Sequence, residues 1–128
     1  MRRMWQGIVV FSVFAGLTVS ASQGPPLNRV MREKLGRAQK ILEAVVTSDW
    51  VKLEAESREL ERLTEDPRWA VLKFPEYAQR SMAFKQAVQD LHTAAVQRDL
   101  EKTPRAYIAV TLRCVECHRY LARARIAR

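Results

Sequence analysis

The sequence predicts an all-α fold, an antiparallel four-helix bundle that follows an N-terminal signal peptide. Apolar residues recur every three or four positions along most of the 128-residue chain, which is the period of a helix. Only 5 prolines and 4 glycines interrupt this pattern, and no segment alternates as a half-buried strand does. Four amphipathic helices joined by short connections bury their apolar faces best as an antiparallel bundle.

Residues 1–21 have the features of a signal peptide. Arg2 and Arg3 give a positive start, residues 8–19 are apolar apart from Ser12 and Thr18, and small residues end the segment at Ala21. A membrane-spanning helix needs about 20 apolar residues, more than this run offers. We therefore expect cleavage after Ala21 and an exported, periplasmic domain at residues 22–128 without a stable membrane span. An uncleaved membrane anchor is the alternative.

The net charge of +8 indicates a basic surface. We nevertheless do not expect nucleic acid as a partner. The charges are scattered over helical faces, and an exported protein does not routinely meet nucleic acid. One local excess stands out, because residues 113–128 hold five arginines and a single glutamate, Glu116. Such an excess attracts an acidic protein partner or the carboxylates of a bound cofactor.

The first two helices are predicted on either side of a short break. The first begins near Asn28, after two prolines, and its apolar face comprises Met31, Leu35, Ala38, Leu42 and Val45. Residues 47–49 are rich in helix-capping side chains and end it. The second helix presents Trp50, Leu53, Leu60 and Leu63 on one side, and Asp66-Pro67 ends it.

Two further helices complete the predicted bundle. Residues 68–74 are apolar but short, and we expect them to cover the core as a loop or a single turn. Pro75 suits the first position of the third helix, whose apolar face holds Tyr77, Phe84, Val88, Leu91 and Ala95. After a turn at residues 99–104, the fourth helix presents Tyr107, Val110, Cys114, Cys117, His118 and Leu121.

The fourth helix contains the sequence C-x-x-C-H at residues 114–118, which is typical of covalent haem attachment. Residues three and four apart are neighbours on a helix, so Cys114, Cys117 and His118 share one face. Two thiols on that face can add to the two vinyl groups of one haem, and the adjacent imidazole can bind the iron. The sequence thus predicts one haem c, held by Cys114 and Cys117 and ligated by His118.

Other chemistries fit these residues less well. A disulfide between cysteines three residues apart closes too small a loop to stabilise the fold much. A thioredoxin-like site needs a preceding strand, and a structural zinc site needs four ligands, whereas only His92 remains. A di-iron bundle needs Glu-x-x-His pairs, which neither histidine provides.

A signal peptide, four helices and C-x-x-C-H near the end of the last helix together resemble cytochrome c′ and its low-spin relatives. The resemblance extends from about Leu27 to Arg128 and is closest at residues 31–34, 76–91 and 113–120. The family usually has an aromatic residue three positions after the haem histidine and an arginine four after it. Here Tyr120 follows by two and Arg123 by five, as in a divergent member. The resemblance implies one haem c and raises the option of a homodimer through the first two helices.

In that family the iron position opposite the histidine belongs to the first helix, as a methionine ligand or as an apolar residue that leaves the iron open. An antiparallel bundle agrees, because the start of its first helix lies level with the end of its fourth. Met31 and Leu35 are the two candidates at that depth. We expect Met31 to bind the iron, with Leu35 beside an open iron as the alternative. Met82 is expected to be a core or surface residue, and His92, which has polar neighbours, is expected to be a surface histidine.

These expectations define two functions. A six-coordinate iron suits an electron-transfer protein that meets redox partner proteins, some of them acidic. An open iron with Leu35 opposite suits a protein that binds small gases such as nitric oxide or carbon monoxide. An enzyme such as a peroxidase is less consistent with the sequence, because neither Met31 nor Leu35 supplies the polar acid–base group that this chemistry uses.

Overall fold

The computed structural model describes residues 26–70 and 72–124. Four α-helices account for most of them: α1 (Pro26–Thr47), α2 (Trp50–Thr64), α3 (Pro75–Val96) and α4 (Lys102–Arg123). The described residues contain no β-strand. The predicted all-α class and the number of helices are confirmed, whereas the predicted signal peptide, residues 1–21, lies outside the described part.

Contacts between side chains show that the first three of these helices run in alternating directions. Lys52 at the start of α2 forms an ion pair with Glu43 near the end of α1, with 2.7 Å between Nζ and Oε2. Further along α2, Glu56 pairs with Arg37 at 2.7 Å. Between α2 and α3, Ser57 contacts His92, and Glu65 pairs with Lys85. In each pair of helices a later residue of one therefore meets an earlier residue of the other, as an antiparallel bundle requires.

The four helices form a ring in which α1 packs against α2, α2 against α3, and α3 against α4. The ring closes loosely, because α1 and α4 approach each other at few points. One of these points is a hydrogen bond of 3.1 Å from the Tyr107 hydroxyl of α4 to the Ala38 carbonyl of α1. The shared core is built mainly from aliphatic and aromatic residues: Val30, Ile41, Leu53, Leu60, Tyr77, Phe84, Val88, Leu91 and Val110.

Local sequence signals place the helix ends. Asp49 caps α2, since its side chain accepts a hydrogen bond of 3.0 Å from the Lys52 backbone N–H. Pro75 starts α3, as the sequence predicts. The chain leaves α1 through Ser48 and α3 through Arg98, and both residues have a positive φ, of 54° and 52°. A left-handed residue at this position lets the next N–H bond back to the last turn, as Asp49 does to Ala44 at 2.9 Å.

The buried face of α1 differs from the one that its apolar residues predict. Val30, Lys34, Ile41 and Ala44 are buried, whereas Leu35 is 60% exposed and Leu42 is 46% exposed. The helix is thus rotated relative to the predicted stripe, because its main neighbour is α2 and its contact with α4 is loose. Each helix in the described part of the chain is too short or too polar to traverse a lipid bilayer.

Candidate functional site

The three residues of the C-x-x-C-H sequence open into one cavity of about 490 Å³ between α1, α3 and α4. They lie on adjacent turns of α4, so Cys114, Cys117 and His118 face the same space. The loose seam between α1 and α4 leaves the room for this cavity. Binding sites for small molecules and cofactors typically have volumes of about 300–1,000 Å³, and this cavity falls in that range.

The cavity walls are largely apolar. Helix α1 supplies one side, and α3, α4 and the loop after α2 supply the others. The apolar side chains along these walls are Met31, Leu35, Ala38, Leu60, Trp69, Phe84 and Val110. Trp69 and Phe84 meet edge to face, with ring centroids 5.5 Å apart. Such walls favour a large apolar ligand over a hydrated one.

Both cysteines are free thiols and partly buried. Burial raises the pKa of the Cys114 and Cys117 thiols, while nearby Lys34 acts in the opposite direction on both. Arg80 also opposes the rise at Cys117. The two thiols are therefore mainly protonated at neutral pH, and they remain available for covalent chemistry inside the cavity.

Polar atoms in the cavity wall lack partners within the described residues. Trp69 Nε1 and Arg80 Nε are buried and form no hydrogen bond there. Buried donors of this kind are normally satisfied. Arg32 and Arg113 also line the cavity, so the surroundings are positive. A mostly apolar cofactor that carries carboxylates, as haem does with its propionates, fits these walls and could accept hydrogen bonds from such donors.

Lys34 is an unexpected member of the site. Only 7% of its surface is exposed, and its Nζ lies 2.7 Å from the centroid of the Trp69 ring and 4.7 Å from that of Phe84. Burial lowers the pKa of this amine to about 7. Hydropathy patterns place a lysine at the surface, so sequence reasoning did not identify Lys34. One sequence feature could have identified it: Lys34 has the helical spacing that puts it on the same face of α1 as Val30 and Ile41, which are buried.

Met31, the predicted iron ligand, and Leu35, the residue expected beside an open iron, both line the cavity. Met31 is partly buried and packs against the core, whereas Leu35 lies at the cavity edge. Met82 is 72% exposed, outside the cavity.

His92 is not the fully exposed surface residue that its polar neighbours suggest. It lies between α2 and α3, with its Nδ1 3.0 Å from the Oγ of the buried Ser57, and it does not line the cavity.

The described residues contain no group of three or more histidine, cysteine and acidic side chains arranged to hold a metal ion. Comparison with known proteins adds no further assignment. No family model matches the chain, and neither a curated protein nor a solved structure matches it.

Proposed function

We propose that this protein is an exported c-type cytochrome that holds one haem covalently and transfers electrons. The observation that supports the proposal is that the residues of the C-x-x-C-H motif line a cavity large enough for a cofactor. The C-x-x-C-H sequence alone predicts covalent haem attachment. The cavity of about 490 Å³ lies on the face of α4 that carries all three motif residues, where attached haem would need to be.

Each motif residue has a defined role in this proposal. The Cys114 and Cys117 thiols each add across one vinyl group, so that a carbon–sulfur bond forms and the thiol proton passes to the other vinyl carbon. The addition needs no oxidant. His118 offers an imidazole nitrogen to the iron. Bound haem would supply the one-electron chemistry of iron, and the apolar walls around Phe84 and Val110 would exclude water from it.

The surface around the motif suits protein partners. His118 is exposed, and it lies among the arginines of the last two turns of α4. Arg113 pairs with Glu116 at 2.7 Å, whereas Arg119 and Arg123 are also exposed. An exposed positive surface beside a redox centre attracts acidic redox partners over long distances.

Gas binding is the second candidate function, and the presence of Leu35 in the cavity favours it. If Leu35 faces the iron, no side chain fills the sixth position. The iron is then five-coordinate and can bind nitric oxide or carbon monoxide. The ferric and ferrous absorption spectra separate the two functions, because they report the number of iron ligands.

Covalent attachment is tested by expressing the full chain together with a haem-attachment system. We expect haem to stay with the protein after acid–acetone extraction and denaturing electrophoresis, at a mass one haem above that of residues 22–128. The double variant Cys114→Ser/Cys117→Ser is the control and should release all its haem on extraction. Haem that extracts freely from the unmutated protein would contradict the proposal.

A further inference from the structure

Lys34 is a mostly buried side chain in the wall of the cavity. No hydrogen bond or ion pair to its Nζ is found among residues 26–70 and 72–124, although more than nine-tenths of its surface is buried. Its contacts are the faces of Trp69 and Phe84. Cation–π contacts of this kind stabilise an ammonium group, but they offset only part of the cost of burying it. A group so placed calls for a further partner in the cavity.

Lys34 lies in the α1 wall of the cavity, whereas Cys114, Cys117 and His118 lie in its α4 wall. The charge of Lys34 also opposes the rise in the pKa of both thiols, which agrees with their sharing one cavity. Those thiols would bond to the edge of the haem. A side chain that comes from the α1 wall would approach the cofactor from the side that faces away from α4.

We propose that Lys34 Nζ is the second axial ligand of the haem iron, opposite His118. The inference rests on the proposed haem function and changes the expected ligand from Met31 to Lys34. The lysine lies one turn from Met31 on the same helix, is more deeply buried, and extends a nitrogen lone pair into the cavity when it is neutral. Burial lowers the pKa of this amine to about 7, which favours the neutral form. Histidine–lysine ligation makes a low-spin, six-coordinate iron, which suits electron transfer.

The test uses the haem-loaded protein and three variants, Lys34→Ala, Lys34→Arg and Met31→Ala. We expect the unmutated ferric protein to be low-spin and to lack the weak red absorption band of a methionine–iron bond. Lys34→Ala should convert it to a high-spin form, and its ferrous state should change from no detectable carbon monoxide binding to one equivalent per haem. Met31→Ala should remain low-spin.

Lys34→Arg separates ligation from packing. Arginine keeps a cation over Trp69 and Phe84 but does not ligate iron, so this variant should have the same high-spin spectrum as Lys34→Ala. Circular dichroism should show unchanged helix content in Lys34→Arg. Lys40→Ala, an exposed change on the same helix, should leave the spectrum unaltered.

Three results would overturn the inference: a low-spin spectrum that persists in both Lys34 variants, a methionine–iron band that Met31→Ala abolishes, or a high-spin unmutated protein. In each of these the haem still resists extraction, and the cytochrome proposal stands. Loss of the haem on extraction would instead refute the proposed function itself, together with this inference.

Discussion

Tyr77 joins the loop that carries Trp69 to α3 and thereby holds one wall of the cavity. Its hydroxyl donates a hydrogen bond of 2.6 Å to the Trp69 carbonyl. The side chain is only 2% exposed, and burial raises its pKa to about 12, so the hydroxyl keeps its proton throughout the neutral range. The loop after α2 has little regular structure of its own, and this bond fixes it where Trp69 can meet Lys34.

Tyr77→Phe should lower the free energy of unfolding by about 1–3 kcal/mol, because it leaves the buried Trp69 carbonyl without its donor. The measurement is urea unfolding followed by circular dichroism. Tyr120→Phe is the matched control. The described residues contain no hydrogen bond of the Tyr120 hydroxyl, and its ring keeps the contact with Arg80, whose Cζ lies 4.8 Å away. Equal effects of the two variants would show that the Tyr77 bond adds nothing.

At the scale of single residues, the sequence predicts the cysteines and His118 but misses Lys34. The sequence can place the motif residues on one face because that face depends on spacing within one helix, and the structure has all three lining one cavity. Lys34 is missed because its burial depends on Trp69 and Phe84, which are distant in sequence and reach it only through tertiary packing. Leu35 shows the converse: an apolar residue of the right period that is mostly exposed.

Helix α2, with 15 residues, is the shortest of the four described helices. Its stability depends on the capping of its ends and on contacts with its neighbours. A helix of this length is marginal in isolation. Asp49 satisfies one of the free N–H groups at its start, and Glu56 ties its middle to α1.

We expect Asp49→Ala to destabilise the protein by about 1 kcal/mol, the usual cost of losing an N-cap. Asp49→Asn keeps an oxygen acceptor and should change stability much less. Thermal unfolding of the haem-loaded protein measures both. A loss as large in the asparagine variant as in the alanine variant would mean that the negative charge, and not the cap, stabilises the helix.

At the scale of elements, helical periodicity predicts the four described helices and places the breaks between them to within a few residues. The exception in detail is α4, which begins at Lys102, inside the turn predicted at residues 99–104. Pro75 begins α3 as predicted, and the capping residues before α2 form the expected break. The rotation of α1 is not predictable from its own residues, because Met31, Leu35 and Leu42 form as good a stripe as Val30 and Ile41. The choice between the two faces depends on the ion pairs and packing that α2 provides.

The molecule as a whole is a bundle with three well-packed interfaces and one open seam. A bundle of this size buries a smaller fraction of its surface than a large domain does, and here part of the interior is a cavity of about 490 Å³. In the proposed cytochrome, haem fills that space and links the walls from α1 and α4. The cofactor is then a structural part of the core as well as the redox centre.

Removing both attachment points should therefore weaken the entire fold. We expect Cys114→Ser/Cys117→Ser to unfold at a temperature roughly 10–20 °C below that of the haem-loaded protein. A loss of about 3 kcal/mol, similar to truncating one large core side chain, shifts the midpoint of a small domain by that much. Circular dichroism measures the unfolding, and binding of a hydrophobic dye reports the opened cavity.

Arg119→Ala, an exposed change on α4 beside His118, is the control and should unfold at the same temperature as the unmutated protein. Equal midpoints for the double variant and the haem-loaded protein would show that the bundle is complete without a cofactor.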